Sequence, residues 1–288
     1  MSRKNTFWAF LIVSLFLLGG IVVKLTASDN TIVISSQRPY SSPEYRLDWE
    51  ENFDGEKLDE TKWSKCKRRT SQWNRHMSNE DRLYQLKKGR LRLYCMNNTG
   101  WAKGDTARVV TGGITTENKY TVLEGKVEVR ARMSSVMGCW PAIWMGHNKN
   151  TKGVTDPKYA EIDIMEHFNL DKKIQHNTHN AHLYNRKKAN SRESLKFVDV
   201  DPGKWHVYSV EILKDALVFR VDDNVTFTYP RKLEYVSEGQ YPYTVYPEFL
   251  ILSMQWGTKS AKYLDTKSLP AYIEFDWVRV YKPKNQRS

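Results

Sequence analysis

The 288 residues, 40% hydrophobic and 12% aromatic, are enough to bury a substantial core and suit a single all-β domain. The net charge of +12 is spread along the chain rather than gathered into a basic tail, and no nucleic-acid-binding motif accompanies it, which excludes nucleic acid as a partner. A solvated surface, an anionic glycan or a neighbouring anionic membrane each fits that charge. Ten tryptophans and sixteen tyrosines suit either a packed core or a ligand with flat faces.

The chain opens Met-Ser-Arg-Lys-Asn-Thr, followed by an apolar run from Phe7 to Val23 and then Lys24. A positive start before such a run marks residues 1–27 as a signal peptide or an N-terminal membrane anchor, so the protein is expected to be exported: periplasmic, extracellular or membrane-anchored. Leu25-Thr26-Ala27 is a mediocre cleavage site, and no cysteine follows closely enough for lipid attachment. Residues 28–44, polar and serine-containing, read as a linker to a folded body at 45–283.

Strand periodicity runs through that body. From Gly125 to Met133, residues Val127, Val129, Ala131 and Met133 share one face, and Glu128, Arg130 and Arg132 the other. His206 to Leu213, Ala216 to Val221 and Val225 to Tyr229, separated by Lys214-Asp215 and Asp222-Asp223-Asn224, form a three-strand meander. Phe249 to Trp256 and Tyr272 to Tyr281 complete an all-β pattern of two packed sheets. The polar segment Asn148 to Lys158 reads as a loop at the cleft edge.

The chemistry concentrates in Ala160-Glu-Ile-Asp-Ile-Met-Glu-His167. Glu161 and Asp163 share a face of a regular strand, whereas Glu166, five positions beyond Glu161, points the opposite way. A β-bulge at Ile164-Met165 returns Glu166 to their side and leaves the apolar residues in the core. Three acids on one face repel one another and raise each other's pKa. Retaining glycoside hydrolysis uses that tension: one ionised nucleophile and one protonated donor, about 5 to 5.5 Å apart. The alternatives are an acidic strand that merely faces solvent, or calcium ligands.

Trp140 and Trp144, four apart, point the same way, as sugar platforms or as core. Trp73, in the loop-like Gln72-Trp-Asn-Arg-His76, is a further candidate platform. His176, His179 and His182 are evenly spaced, but strand alternation sends His176 and His179 to opposite faces, which argues against a shared metal site. Cys66, Cys95 and Cys139 are odd in number and show no metal spacing; three packing thiols or a Cys66 to Cys95 bridge both fit.

Glu161-Ile-Asp-Ile-Met-Glu166 resembles the bulged E-x-D-x-x-E signature of glycoside hydrolase family 16. Gly138-Cys-Trp-Pro-Ala-Ile-Trp-Met145 is similar to the family's G-x-W-P-A-x-W stretch, and Gly125 to Arg132 to its G-x-x-E-x-R strand. Phe275-Asp-Trp-Val-Arg-Val-Tyr281 resembles its closing strand and Trp49 to Gly55 its opening one, so the likeness covers 45–283. The resemblance implies a concanavalin-like β-jelly-roll sandwich of two antiparallel sheets with an open concave cleft, and an endo-acting double displacement. It implies Glu161 as nucleophile, Asp163 as its helper, Glu166 as acid/base, and His179, within Gln175-His-Asn-Thr-His179, as the histidine near the acid. No cofactor is implied beyond a structural calcium on the convex side with Asp276 as a ligand; a solvent-facing Asp276 is the alternative.

Where the family often has paired glycines, this chain reads Ser253-Met-Gln-Trp-Gly-Thr258, which makes Trp256 a candidate substrate contact. A monomer acting on a polysaccharide is expected. The resemblance points first to a β-1,3(4)-glucan, and Trp256 with the basic charge to a β-galactan, sulfated or host-derived. A glycan-binding lectin without turnover is the reading from another class.

Overall fold

The computed structural model describes residues 42–147 and 153–284 in full, together with the backbone of four two-residue strands between residues 22 and 37. Those four form two antiparallel pairs in a separate unit, Met1–Ser41. Nearly all of the expected export or anchor segment therefore lies outside the described residues, as does most of the polar loop after His147. No described helix is long and apolar enough to cross a membrane.

The body is a β-sandwich of two antiparallel sheets. One, of seven strands, runs in the order Leu195–Asp199, Lys173–Asn180, Ala160–Glu166, Cys139–Gly146, Phe249–Trp256, Gly113–Thr115 and Ser64–Lys65. The other, of nine, places Gly125–Met133 between His206–Ile212 and the long closing strand Ala271–Pro283. The meander expected after Trp205 is present as His206–Ile212, Ala216–Val221 and Asn224–Pro230. Tyr45–Glu51 pairs with the closing strand, so the two ends of the domain are joined by one ladder.

Alternation explains the core. Val127, Val129, Ala131 and Met133 are all buried between the sheets, where they meet Ile143, Met145, Ile162, Leu250, Leu252 and Met254. Gly125 is obligatory at the head of its strand: φ is +143°, and a Cβ there would lie 2.2 Å from the Tyr281 carbonyl oxygen.

Cys66, Cys95 and Cys139 are buried free thiols, and the neighbour of the Cys95 thiol is Cys139. This corrects the bridge drawn between Cys66 and Cys95, since the sulfur beside Cys95 belongs to another strand.

Asp276 is paired with two arginines. Its two oxygens accept from Arg90 Nε at 3.3 Å and from Arg130 Nη1, and a cation there would sit against two guanidinium groups.

Candidate active site

The row of acids is built by one surplus residue. Across the ladder to Lys173–Asn180, Asp163 faces Asn177 and Glu166 faces Gln175, so three steps on one strand oppose two on the other. Against Cys139–Gly146, Met165 faces Ile143 and Asp163 faces Trp144, which leaves Ile164 as the extra residue. Ile162, Ile164 and Met165 are fully buried in the inter-sheet core. The bulge read from the sequence is therefore present, and it brings Glu161, Asp163 and Glu166 to one side.

Each acid is held differently. Glu166, 6% exposed, accepts from Trp140 Nε1 at 2.8 Å on one oxygen and from Gln175 Nε2 at 2.7 Å on the other. Glu161, whose side chain keeps 27% exposure, accepts from the Tyr159 hydroxyl at 2.7 Å. Asp163, 4% exposed, lies between them with Oδ2 3.3 Å from His179 Nε2, off the line of a hydrogen bond.

The electrostatics follow from burial and from that central charge. Burial, then the charge of Asp163, raises Glu166 to about 8 and the more exposed Glu161 to about 7. The hydrogen bonds from Gln175 and Trp140 hold Glu166 back from a larger shift. Burial would lower His179, but the nearby carboxylate of Asp163, with those of Glu161 and Glu166, pushes it up to about 9. A charged ring points Nε2–H at Asp163, while a neutral ring accepts there from Asn177 Nδ2, 2.9 Å away; the three carboxylates favour the charged form. Tyr184, on the short helix Ala181–Asn185, stacks on the ring with its hydroxyl 3.2 Å from Nδ1.

His176 and His182 stand apart. His176 is buried behind the sheet with Nδ1 2.5 Å from the Ile164 carbonyl oxygen and Nε2 2.8 Å from Thr226 Oγ1, and burial lowers its pKa to about 4. His182 is paired with Glu238 at 2.8 Å. Among the described residues, only Glu161, Asp163 and His179 bring three metal-capable donor atoms together, within 4.8 Å, and an ion there would cover the Glu161 carboxylate.

The tryptophans divide. Trp73 and Trp144 meet edge to face at 4.8 Å and line a cleft of about 440 Å³ that reaches Tyr159 and Glu161. Trp140 stacks on Phe168 at 5.2 Å beside Glu166. Trp256, expected to touch substrate, is 3% exposed and belongs to the inter-sheet core. Phe249, Ile251 and the Ser253 hydroxyl that accepts from Trp144 Nε1 lie on the cleft side, so the alternate residues Leu250, Leu252, Met254 and Trp256 turn inward. Gly138 makes room for the indole: its φ is +99°, and a Cβ would lie 3.0 Å from the Trp256 ring.

Three residues of the site escaped the sequence reading: Tyr159 and Gln175, which donate to the glutamates, and Asn177, which bonds to His179. Gln175 and Asn177 share the strand face of His179, so alternation alone could have found them. Tyr159 precedes its strand and gave no periodic signal.

The profile of "Glycosyl hydrolases family 16" matches residues 63–279. The chain belongs to this family. It is similar to a keratan-sulfate endo-1,4-β-galactosidase of Sphingobacterium multivorum, 31% identical over 246 residues, or 84% of this chain. It is also similar to a β-glucanase of Rhodothermus marinus, 31% identical over 184 residues, or 62% of this chain. The chain spans 56% and 62% of the length of these curated relatives. Among solved structures, the non-specific endo-β-1,3(4)-glucanase SCLam shares the fold, with a TM-score of 0.73 at 24% identity, covering 84% of this chain and 95% of that one.

Proposed function

We propose that this domain is a retaining endo-glycosidase acting on a β-linked polysaccharide. The observation that carries the proposal is the bulge, which sets a half-buried and a buried glutamate, both of raised pKa, on the same side of one strand. Glu166, the more deeply buried of the two, supplies the proton to the glycosidic oxygen as Glu161 attacks the anomeric carbon and the C–O bond breaks. The N–H donors of Trp140 and Gln175 favour the carboxylate that this step leaves on Glu166. Glu166 then takes a proton from water as the hydroxyl adds to the anomeric carbon and Glu161 departs. Asp163 and His179 hold the charge balance on which both steps depend.

For the substrate, we read a β-galactan ahead of a β-1,3(4)-glucan. The relative named for a galactan bond aligns over 84% of this chain and the β-glucanase over 62%, at the same 31% identity. The apolar run from Phe7 to Val23 supports an exported location for such a substrate. Reducing-end release from a panel of neutral galactans, β-1,3-glucan and mixed-linkage β-glucan tests the proposal. Glycan binding without product from any of them would favour the lectin reading.

A further inference from the structure

The cleft beside Glu161 carries cations that the hydrolytic chemistry does not use. Lys65, on the edge strand Ser64–Lys65, and Lys67 and Arg69, in the segment that follows it, all line the cleft. Lys65 is already committed: Nζ donates to Asp81 at 2.6 Å and to the Asn79 carbonyl at 2.7 Å. Arg68, the residue between the other two, is locked in a two-pronged pair with Asp105 at 2.8 and 2.5 Å. Lys67 and Arg69 are exposed and have no hydrogen bond or ion pair among the described residues. Glu117 and Glu161 are the carboxylates lining the same cleft.

We propose that Lys67 and Arg69 form an anion-reading subsite, which makes the preferred substrate a glycan bearing sulfate esters or carboxylates near the cleaved bond. The inference rests on the glycosidase reading of Glu161. A sugar bonded to Glu161 has its ring within reach of the indole faces of Trp73 and Trp144, which supply an apolar floor. Two unpaired cations at the wall of that floor are matched by an anionic substituent, and a guanidinium engages sulfate or carboxylate oxygens through two N–H groups at once. A neutral ring would leave both charges without a partner as the cleft dries around it. The other cleft-lining charges do not compete: Lys65 is held by Asp81, and the two carboxylates repel the substituent away from their own side.

The test compares the full chain with the Lys67→Ala/Arg69→Ala variant, neither position belonging to the catalytic group. The probes are a sulfated galactan, the same polymer after chemical desulfation, and a uronate-containing β-glycan. Reducing-end release gives KM and kcat, and calorimetry on oligosaccharides of each gives Kd. The expected result is a preference of about tenfold or more in KM and Kd for one anionic form over the neutral polymer. That preference should shrink with added salt and vanish in the variant, with kcat on the neutral polymer unchanged. The sulfate and uronate arms distinguish the two anions. Equal KM and Kd for charged and neutral polymers, or a preference that survives the double substitution, would overturn the subsite. A Kd preference lost in the variant, without product from any polymer, would keep the subsite and overturn the glycosidase reading instead.

Discussion

The imidazole Nδ1 of His176 lies 2.5 Å from the carbonyl oxygen of Ile164, the residue by which the carboxylate strand exceeds its neighbours. A bulge leaves backbone groups out of the ladder, and a buried carbonyl without a donor is costly. His176 meets that need from behind the sheet, and its low pKa keeps the ring neutral with the proton on Nδ1.

Replacing His176 by leucine should therefore loosen the bulge. A loss of about 1–3 kcal/mol in urea unfolding is expected for the stranded carbonyl, together with a fall in kcat as Glu166 loses its alignment. The pH dependence has a definite sign. The folded pKa of His176 lies near 4, below the ordinary 6.5, so the unfolded chain binds the extra proton and stability falls as pH drops from 6.5 toward 4. That decline should be absent in the leucine variant. An unchanged midpoint and unchanged kcat would show that the bulge stands without the histidine.

Glu161→Gln should lower turnover by at least about a thousandfold while the fold persists, because the amide cannot form the covalent intermediate. The amide oxygen still accepts from Tyr159, so far-UV circular dichroism should not change. The folded pKa of Glu161 is raised, so the proton it retains stabilises the native state at low pH, and this contribution fades as pH rises through about 7. The variant should accordingly match the parent in Tm at pH 5 and exceed it at pH 8, at roughly 2–4 °C per kcal/mol gained. Activity within tenfold of the parent would remove Glu161 from the mechanism.

Asp163→Asn tests the central charge. Its removal takes away the second cause of elevation at both glutamates and the principal upward push on His179. Both limbs of the kcat/KM profile should move to lower pH by about one unit or more, and activity at pH 7.5 should fall because Glu166 is then ionised. A profile that only drops in height would assign Asp163 a purely geometric role.

Glu166→Ala should impair polysaccharide cleavage by about a hundredfold or more, yet retain much of its rate on aryl glycosides whose leaving groups need no proton. Equal losses on both kinds of substrate would argue that Glu166 is not the donor.

Much of this site was legible because two physical patterns conflict in the sequence. Glu161 and Glu166 are out of phase by count, and only a bulge that buries Ile164 and Met165 reconciles them; the register shows that bulge. The strand Gly125–Met133 was legible because one of its faces is charged. Phe249–Trp256 was harder, since seven of its eight residues are buried and the apolar run does not announce which face is the cleft. Trp256 was misplaced for that reason, and Ser253 and Gln255 mark the cleft face only in retrospect. The arginines around Asp276 are far from it in sequence, Arg90 in a connection and Arg130 on the strand Gly125–Met133, so no local pattern could have paired them.

Two sulfur atoms sealed inside the sandwich, those of Cys95 and Cys139, give the protein an internal gauge of its own breathing. Burial pushes the Cys95 thiol up, and neither it nor Cys139, unlike the cleft-lining Cys66, is reachable from solvent while the sheets stay together. The rate at which a small thiol-directed dye marks these two cysteines in the native protein would then report how often the two layers part, with no label engineered in.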